Sequence, residues 1–429
     1  MWLNQYGLVH GLSNLHLSLG LCSSWHVFQA IFTFNNSIHF NDVNGLLMLI
    51  FTFFILEKSN NNKTVFWSYI QYLLVLLLSF PFFSAPNPDF AIIILSAISV
   101  QLFISNKNFP FIILIAAFCF SIKISAIITT LLAVYLLLKY WDIYQSKRLL
   151  FLAIAIVTIH IIKNIYQTAY PLYPYKIASF NLDWKTPENI LNFFTDGVKT
   201  WAYSDKFKPN DIEQLKDTTQ WQMLKNLLFR TGSKGLINKA IFFSFLFSNV
   251  LVAFFYFKKK LKQNTLVMHV ITCFSLIIWF AFAPQYRFAL PMLIYFLSFI
   301  ISLIYTELFA LKTTNFLKYI HLFLLLIFFT ISITGLNIKA SETSSQIGTF
   351  NKITPQQLLI PKPQYSFKMD TILVNNQPYF HAQGNRYCWN STLPCMSKGY
   401  EKIIFENYHY RISLRGKDLN EGFKFIYYY

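Results

Sequence analysis

Asp and Glu together make up only 18 of 429 residues, so each carboxylate can be weighed singly. Asp89 ends the stretch Phe82-Phe-Ser-Ala-Pro-Asn-Pro-Asp89, directly before an apolar run. An acid there can cap a helix, ligate a divalent metal ion, or position a phosphate-linked donor and act as a base. Lys123 interrupts the apolar run between 110 and 139. A charge at membrane depth costs about 2.5–3.5 kcal/mol on insertion scales, so it marks a functional site unless it snorkels to the interface. Arg287 closes the turn Phe282-Ala-Pro-Gln-Tyr-Arg-Phe between two apolar runs. Its guanidinium suits the paired oxygens of a phosphate, with an interfacial anchor as the plain alternative. Asp89, Lys123 and Arg287 are far apart in sequence. Their positions predict that they converge on one cavity at the outer membrane face.

A weaker set lies between 164 and 235: Tyr170 in Tyr170-Pro-Leu-Tyr-Pro174, and Asp183 beside Trp184. A connection this long inside a bundle is normally functional, so Asp183 is a second catalytic candidate, and Tyr170 and Trp184 are candidate substrate contacts. Asp196, Asp205, Asp211, Glu213 and Asp217 lie along a polar stretch and should face water, and His160 and Lys163 read as interface residues. Of five cysteines, Cys119 and Cys273 fall inside apolar runs as small core residues, and Cys22 is ambiguous. Cys388 and Cys395 flank a polar, turn-rich stretch that topology places in an oxidising compartment, where a local disulfide is the natural use. A zinc site would need two further ligands nearby. Phosphate-binding glycine loops, a metalloprotease His-Glu-x-x-His and a hydrolase nucleophile elbow are missing from the sequence, which argues against an ATP-driven pump or a soluble-type hydrolase.

These residues must be held by elements of one class. Hydrophobic residues reach 55% and charged residues only 13%, about half the share in soluble domains. The composition therefore predicts an all-α polytopic membrane bundle. Apolar runs fall at 43–56, 65–80, 90–104, 110–122, 124–139, 149–163, 236–257, 265–283, 288–306 and 318–334. Several are shorter than the roughly 20 residues of a perpendicular span, so about ten spans is the expectation. The chain has a net charge of +18, and Lys and Arg recur in the short loops between apolar runs, Glu57–Lys63, Ser105–Asn108, Lys139–Arg148, Lys258–Lys262 and Lys312–Lys318. All five fall on one side when the spans alternate, which is the cytoplasmic side by the positive-inside rule. The partner implied by this basic balance is the bilayer, not nucleic acid.

The expected organisation is an outer segment 1–42, a first helix bundle 43–163, a long extracytoplasmic loop 164–235, a second bundle 236–334 and an extracytoplasmic C-terminal domain 335–429. The last should be small and β-rich, with strands at Thr371-Ile-Leu-Val and Phe423-Lys-Phe-Ile-Tyr. Residues 1–42 lie outside with no apolar run before them, so an upstream helix is expected.

Several fragments carry a family resemblance: Tyr6-Gly-Leu-Val-His-Gly-Leu-Ser-Asn-Leu-His16, Ser84-Ala-Pro-Asn-Pro-Asp89, Tyr170-Pro-Leu-Tyr-Pro174, Asp183-Trp184, Trp201-Ala202, Cys388-Trp389 to Pro394-Cys395, Leu414-Arg-Gly416 and Gly422-Phe423. Together they resemble a family of uncharacterised bacterial multi-spanning membrane proteins that is itself similar to the GT-C glycosyltransferases. The resemblance implies a bacterial inner-membrane enzyme that moves a sugar from a polyprenyl-phosphate carrier to an envelope glycan or lipid acceptor. It also implies an acidic residue in the first outer loop, which this chain lacks ahead of Tyr6. The sequence specifies no cofactor, and a divalent metal ion is the one candidate. A surface-polysaccharide polymerase or ligase is the alternative. A transporter or non-catalytic envelope component is a third, although repeat-related halves are not visible.

Overall fold

The computed structural model describes residues 3, 6–34, 38–39, 43–58, 65–79, 87–140, 147–203, 218–305, 369–374, 377–382, 394–395 and 398–428. Near the N-terminus lie α1 (Leu12–Leu15), α2 (Ser24–Ile31) and a minimal hairpin of β1 (Thr33–Phe34) with β2 (Ile38–His39). Helices then follow the apolar runs: α3 (Val43–Lys58), α4 (Val65–Ser79), α5 (Pro88–Ile104), α6 (Phe109–Ile122), α7 (Ile127–Lys139) and α8 (Lys147–Thr168). The stretch 164–235 contains α9 (Glu188–Tyr203) and α10 (Gln220–Leu228), and α11 (Gly232–Phe257), α12 (Gln263–Phe282) and α13 (Tyr286–Ile304) come next. The run at 318–334 lies outside the described residues. Of these helices, α8, α11, α12 and α13 are long and apolar enough to cross a membrane. The helices α3 to α7 have 13 to 17 residues. At 1.5 Å per residue they reach roughly 20–26 Å, short of a hydrocarbon core of about 30 Å.

The chain divides into two compact units. The helical unit comprises Phe40–Ile154 and Lys199–Ile360. Its axis is α5, which packs against α3, α4, α6, α7, α12 and α13. Fourteen of the 17 residues of α5 are buried, as befits a helix that is apolar on every side. By contrast, α11 leaves Leu236, Phe243, Phe247, Val250 and Phe254 exposed along its length. Such a row would be costly in water and suits lipid.

The mixed unit comprises Met1–His39, Ala155–Val198 and Pro361–Tyr429. The tail contributes two antiparallel hairpins, β3 (Met369–Val374) with β4 (Gln377–Ala382) and β5 (Tyr410–Leu414) with β6 (Phe423–Tyr427). Between them stands α14 (Lys398–Tyr408), so the tail is less purely β than its sequence suggested. Neither hairpin is stable alone. The second closes over an apolar core that draws on distant segments: Val9, Leu12 and Leu15 with Tyr379, Ile412, Leu414 and Phe423. The backbones meet directly, the Phe423 amide donating to the His10 carbonyl at 2.9 Å and the Gly11 amide to the Tyr166 carbonyl at 3.3 Å. Gly422 makes that approach possible: its φ is +91°, and a Cβ there would stand 2.1 Å from the His10 carbonyl oxygen.

Candidate functional site

The three charged residues picked from the sequence meet in the helical unit. Asn87 caps α5, its side chain accepting the Asp89 amide at 2.9 Å, and Pro88 takes the first turn of the helix. The cap reading of Asp89 is therefore replaced: the neighbour caps, and the Asp89 carboxylate is left for another partner. That partner is Lys123, whose Nζ lies 2.6 Å from Asp89 Oδ1. Lys123 stands in the turn between α6 and α7, outside both helices, with its amide donating to the Cys119 carbonyl at 2.9 Å. A cation at a helix C-terminus also meets the negative end of the dipole.

Arg287 comes from the first turn of α13, with Nε 3.7 Å from Asp89 Oδ2. The same Nε donates to Gln285 Oε1 at 3.0 Å, and the Gln285 carbonyl accepts the Trp279 indole at 2.9 Å, so the turn before α13 is pinned. Phe288 serves both cations: Lys123 Nζ is 3.9 Å from its ring centre and the Arg287 guanidinium 5.0 Å. A ring quadrupole attracts each cation and partly offsets their mutual repulsion.

Burial is graded across the group. The Asp89 side chain is 5% exposed, Lys123 23% and Arg287 40%. The carboxylate is thus the floor and the guanidinium the rim. Burial pushes the Lys123 ammonium down to about 8 against the opposing pull of Asp89, so it stays mostly charged at neutral pH. Among the described residues two cations then face one carboxylate, and the group is net positive. With both Asp89 oxygens held by cations, the arrangement suits an anion far better than a divalent metal. Among the described residues no three His, Cys, Asp or Glu side chains gather as a metal-binding group.

Asp183, Trp184 and Tyr170 belong to the mixed unit and serve its internal packing. Asp183 Oδ2 accepts Arg415 Nε at 2.8 Å, and that hydrogen bond holds its carboxyl below the usual range. Arg415 also donates to the Glu421 carbonyl at 3.1 Å and stacks over Trp184 at 4.6 Å. The Trp184 indole donates to the Ile165 carbonyl at 3.2 Å, and the His10 ring lies against Tyr166 and Trp184. Tyr170 is fully buried and gives its hydroxyl to the Thr186 carbonyl at 2.9 Å. His160 and Lys163 depart from the interface reading. Both are buried, Lys163 donating to the Cys22 carbonyl and His160 pairing with Asn164 at 3.1 Å. Cys22, Cys119 and Cys273 are free thiols, whereas Cys395 is disulfide-bonded. Cys388, its expected partner, lies outside the described residues, as do Asp205, Asp211, Glu213 and Asp217.

Sequence reasoning missed the residues that join these segments. Asn14 donates to the Trp184 and Phe423 carbonyls at 2.9 and 3.1 Å and accepts from the Thr186 hydroxyl at 2.8 Å. The signal available was a polar pair, Ser13-Asn14, flanked by leucines in Leu12-Ser-Asn-Leu15. The resembling fragments at residues 6–16, 183–184, 414–416 and 422–423 are thus the joints of the mixed unit.

No curated protein matches the chain, and no solved structure does either. One family model covers residues 1–294, a span that includes Asp89, Lys123 and Arg287. The chain accordingly belongs to the family described as a domain of unknown function, DUF8201.

Proposed function

We propose that this protein is a membrane glycosyltransferase of GT-C-like character, moving a sugar from a polyprenyl-phosphate carrier to an envelope glycan or lipid acceptor. The observation that carries the reading is the Asp89–Lys123–Arg287 group, net positive among the described residues and standing at the ends of apolar helices. A carrier phosphate at the lipid interface needs such cations. The Arg287 rim would take the phosphate oxygens, and Lys123 would offset charge developing on the leaving phosphate. Asp89 fixes both cations, and a role as base requires one of its oxygens to release its partner. On this reading the shorter helices complete about ten crossings in the bacterial inner membrane. The basic loop Lys258–Lys262 then faces the cytoplasm and the C-terminal region faces outward.

The test uses the full chain in neutral-lipid nanodiscs with a short-chain polyprenyl monophosphate as probe. Wild-type protein should bind it, and Lys123→Ala with Arg287→Ala should weaken binding at least tenfold, since charge-assisted hydrogen bonds contribute about 1.5–3 kcal/mol each. Equal affinity in the two proteins would remove the donor site. Transfer of labelled sugar from the charged carrier should be lost in the same variant.

A further inference from the structure

In the helical unit, α10 presents a row of side chains that the proposed reaction does not use. Thr219 and Gln222 cap its start reciprocally, so the helix begins on local signals. Leu227, on its inner face, is buried, and the helix packs against α11. Asn238 of α11 donates to the Leu227 carbonyl at 2.9 Å, and a Cβ on Gly235 would stand 1.7 Å from the Arg230 carbonyl oxygen, so the connection is drawn tightly onto α11. The outward face carries Trp221, Lys225 and Phe229, which are four apart and form one row. Trp221 is 72% exposed and Phe229 69%. One exposed ring alone would call for no account. These rings continue the exposed row of α11: Lys239 Nζ is 5.6 Å from the Phe229 ring centre, and Lys239 shares a face of α11 with Leu236 and Phe243, three residues after one and four before the other. Lys239 also fixes a level in the bilayer. Residues 240–257 carry no charge, and Lys258 follows. From Lys239 to Lys258 the chain rises roughly 28 Å at 1.5 Å per residue, close to a hydrocarbon core of about 30 Å. The two lysines thus mark the borders of that core, and Phe229 lies at the border away from the basic loop Lys258–Lys262.

We infer that α10 lies in the plane of the membrane, where head groups meet acyl chains, and that the bilayer itself covers the Trp221–Lys225–Phe229 row. An indole suits that layer, because its ring is apolar and its N–H is polar. Lys225, between the two rings, buries its stem and turns its ammonium towards the head groups. Residues 218–240 include lysines and an arginine but no acid, as befits a segment lying against lipid phosphates. The sequence placed α10 in an extracytoplasmic loop; on this reading it meets lipid instead. With α11 crossing the bilayer and α10 lying flat, the pair forms a bracket that holds the helical unit at one depth. The inference uses none of Asp89, Lys123 or Arg287 and stands apart from the reaction proposed above.

Full-length protein in nanodiscs of phosphatidylcholine brominated near the top of its acyl chains provides the test. Trp221 emission is read as the difference between wild type and Trp221→Phe, a surface change that keeps an apolar ring. That emission should lose at least about half its intensity relative to unbrominated discs, because an interfacial helix seats its apolar side chains about 5–10 Å into the boundary, level with the bromines. Iodide in the water should leave it nearly unchanged. A second reporter, Phe229→Trp made in the Trp221→Phe chain and read against Trp221→Phe, should behave in the same way. Quenching by iodide and not by bromine would put α10 in water. Silence towards both quenchers would put a second copy of the chain over the row. Bromine quenching at one position alone would stand the helix out of the membrane plane. Each of these three results would overturn the inference.

Discussion

Two carboxylates, Asp89 and Asp183, stood out in the sequence, and the two units use them in opposite ways. Asp183 is 52% exposed and pairs one-to-one with Arg415, whose remaining contacts are a carbonyl and an indole face of the same unit. That acid is answered from within its own unit. Asp89 is buried and faces two cations, so its group is net positive among the described residues. Net charge, more than the presence of an acid next to an aromatic, separates a candidate site from a contact that closes a fold.

Substitution of Asp89 tests that contrast most strongly. Asp89→Ala leaves two partly buried cations facing each other and should cost about 3–5 kcal/mol, read as a lowered unfolding midpoint in detergent. Adding Lys123→Ala should return part of that loss, because the second change removes one of the stranded charges. A double variant as unstable as the sum of the two single variants would mean that the pair is not coupled.

In the mixed unit the backbone junction should matter more than the ion pair. Gly422→Ala places a methyl group against the His10 carbonyl at a positive φ. A loss of about 2–3 kcal/mol is expected, seen as faster amide exchange in both residues 9–15 and 423–427. Exchange changing in only one of these segments would show that the junction is not cooperative.

Acid should loosen the same unit. Burial lowers the His16 imidazole to about 4, and its Nδ1 accepts the Ser18 amide at 3.3 Å. Above pH 6.5 both folded and unfolded forms are neutral and the full stability is present. Between 6.5 and about 4 only the unfolded form gains the proton, so stability falls as pH drops. About 1–2 kcal/mol should be lost from pH 7 to 5, with His16→Gln flattening the dependence in proteolysis rates. A profile unchanged in that variant would assign the acid sensitivity elsewhere.

The smallest effect belongs to Asp183→Asn. An exposed, screened pair contributes below about 1 kcal/mol, so the midpoint should move little. A drop matching that of Asp89→Ala would erase the distinction between the two carboxylates.

The helices were legible because apolar runs as long as those at 43–56, 65–80 and 90–104 exceed the length of a buried strand and read as helix. Asp89, Lys123 and Arg287 were legible because charge is scarce in such a chain. Asn87 was not: in Asn-Pro-Asp either acid or amide can cap, and the proline decides by occupying the first helical position. Arg415 and Asn14 were hidden for a different reason. Their partners lie 232 and as many as 409 positions away, and no local periodicity reports such pairings. Gln101 sits within an apolar run, where a single polar side chain looks like ordinary filling.

A rod gripped from all sides cannot roll or slide piecemeal. With 14 of 17 residues buried among six neighbours, α5 has no free face along which to repack. The Asn87 cap at one end and the Gln101 hydrogen bonds at the other therefore travel as one body or not at all. A shift of the helix large enough to release Asp89 from Lys123 would also reach the Gln101 hydrogen bonds about 20 Å away.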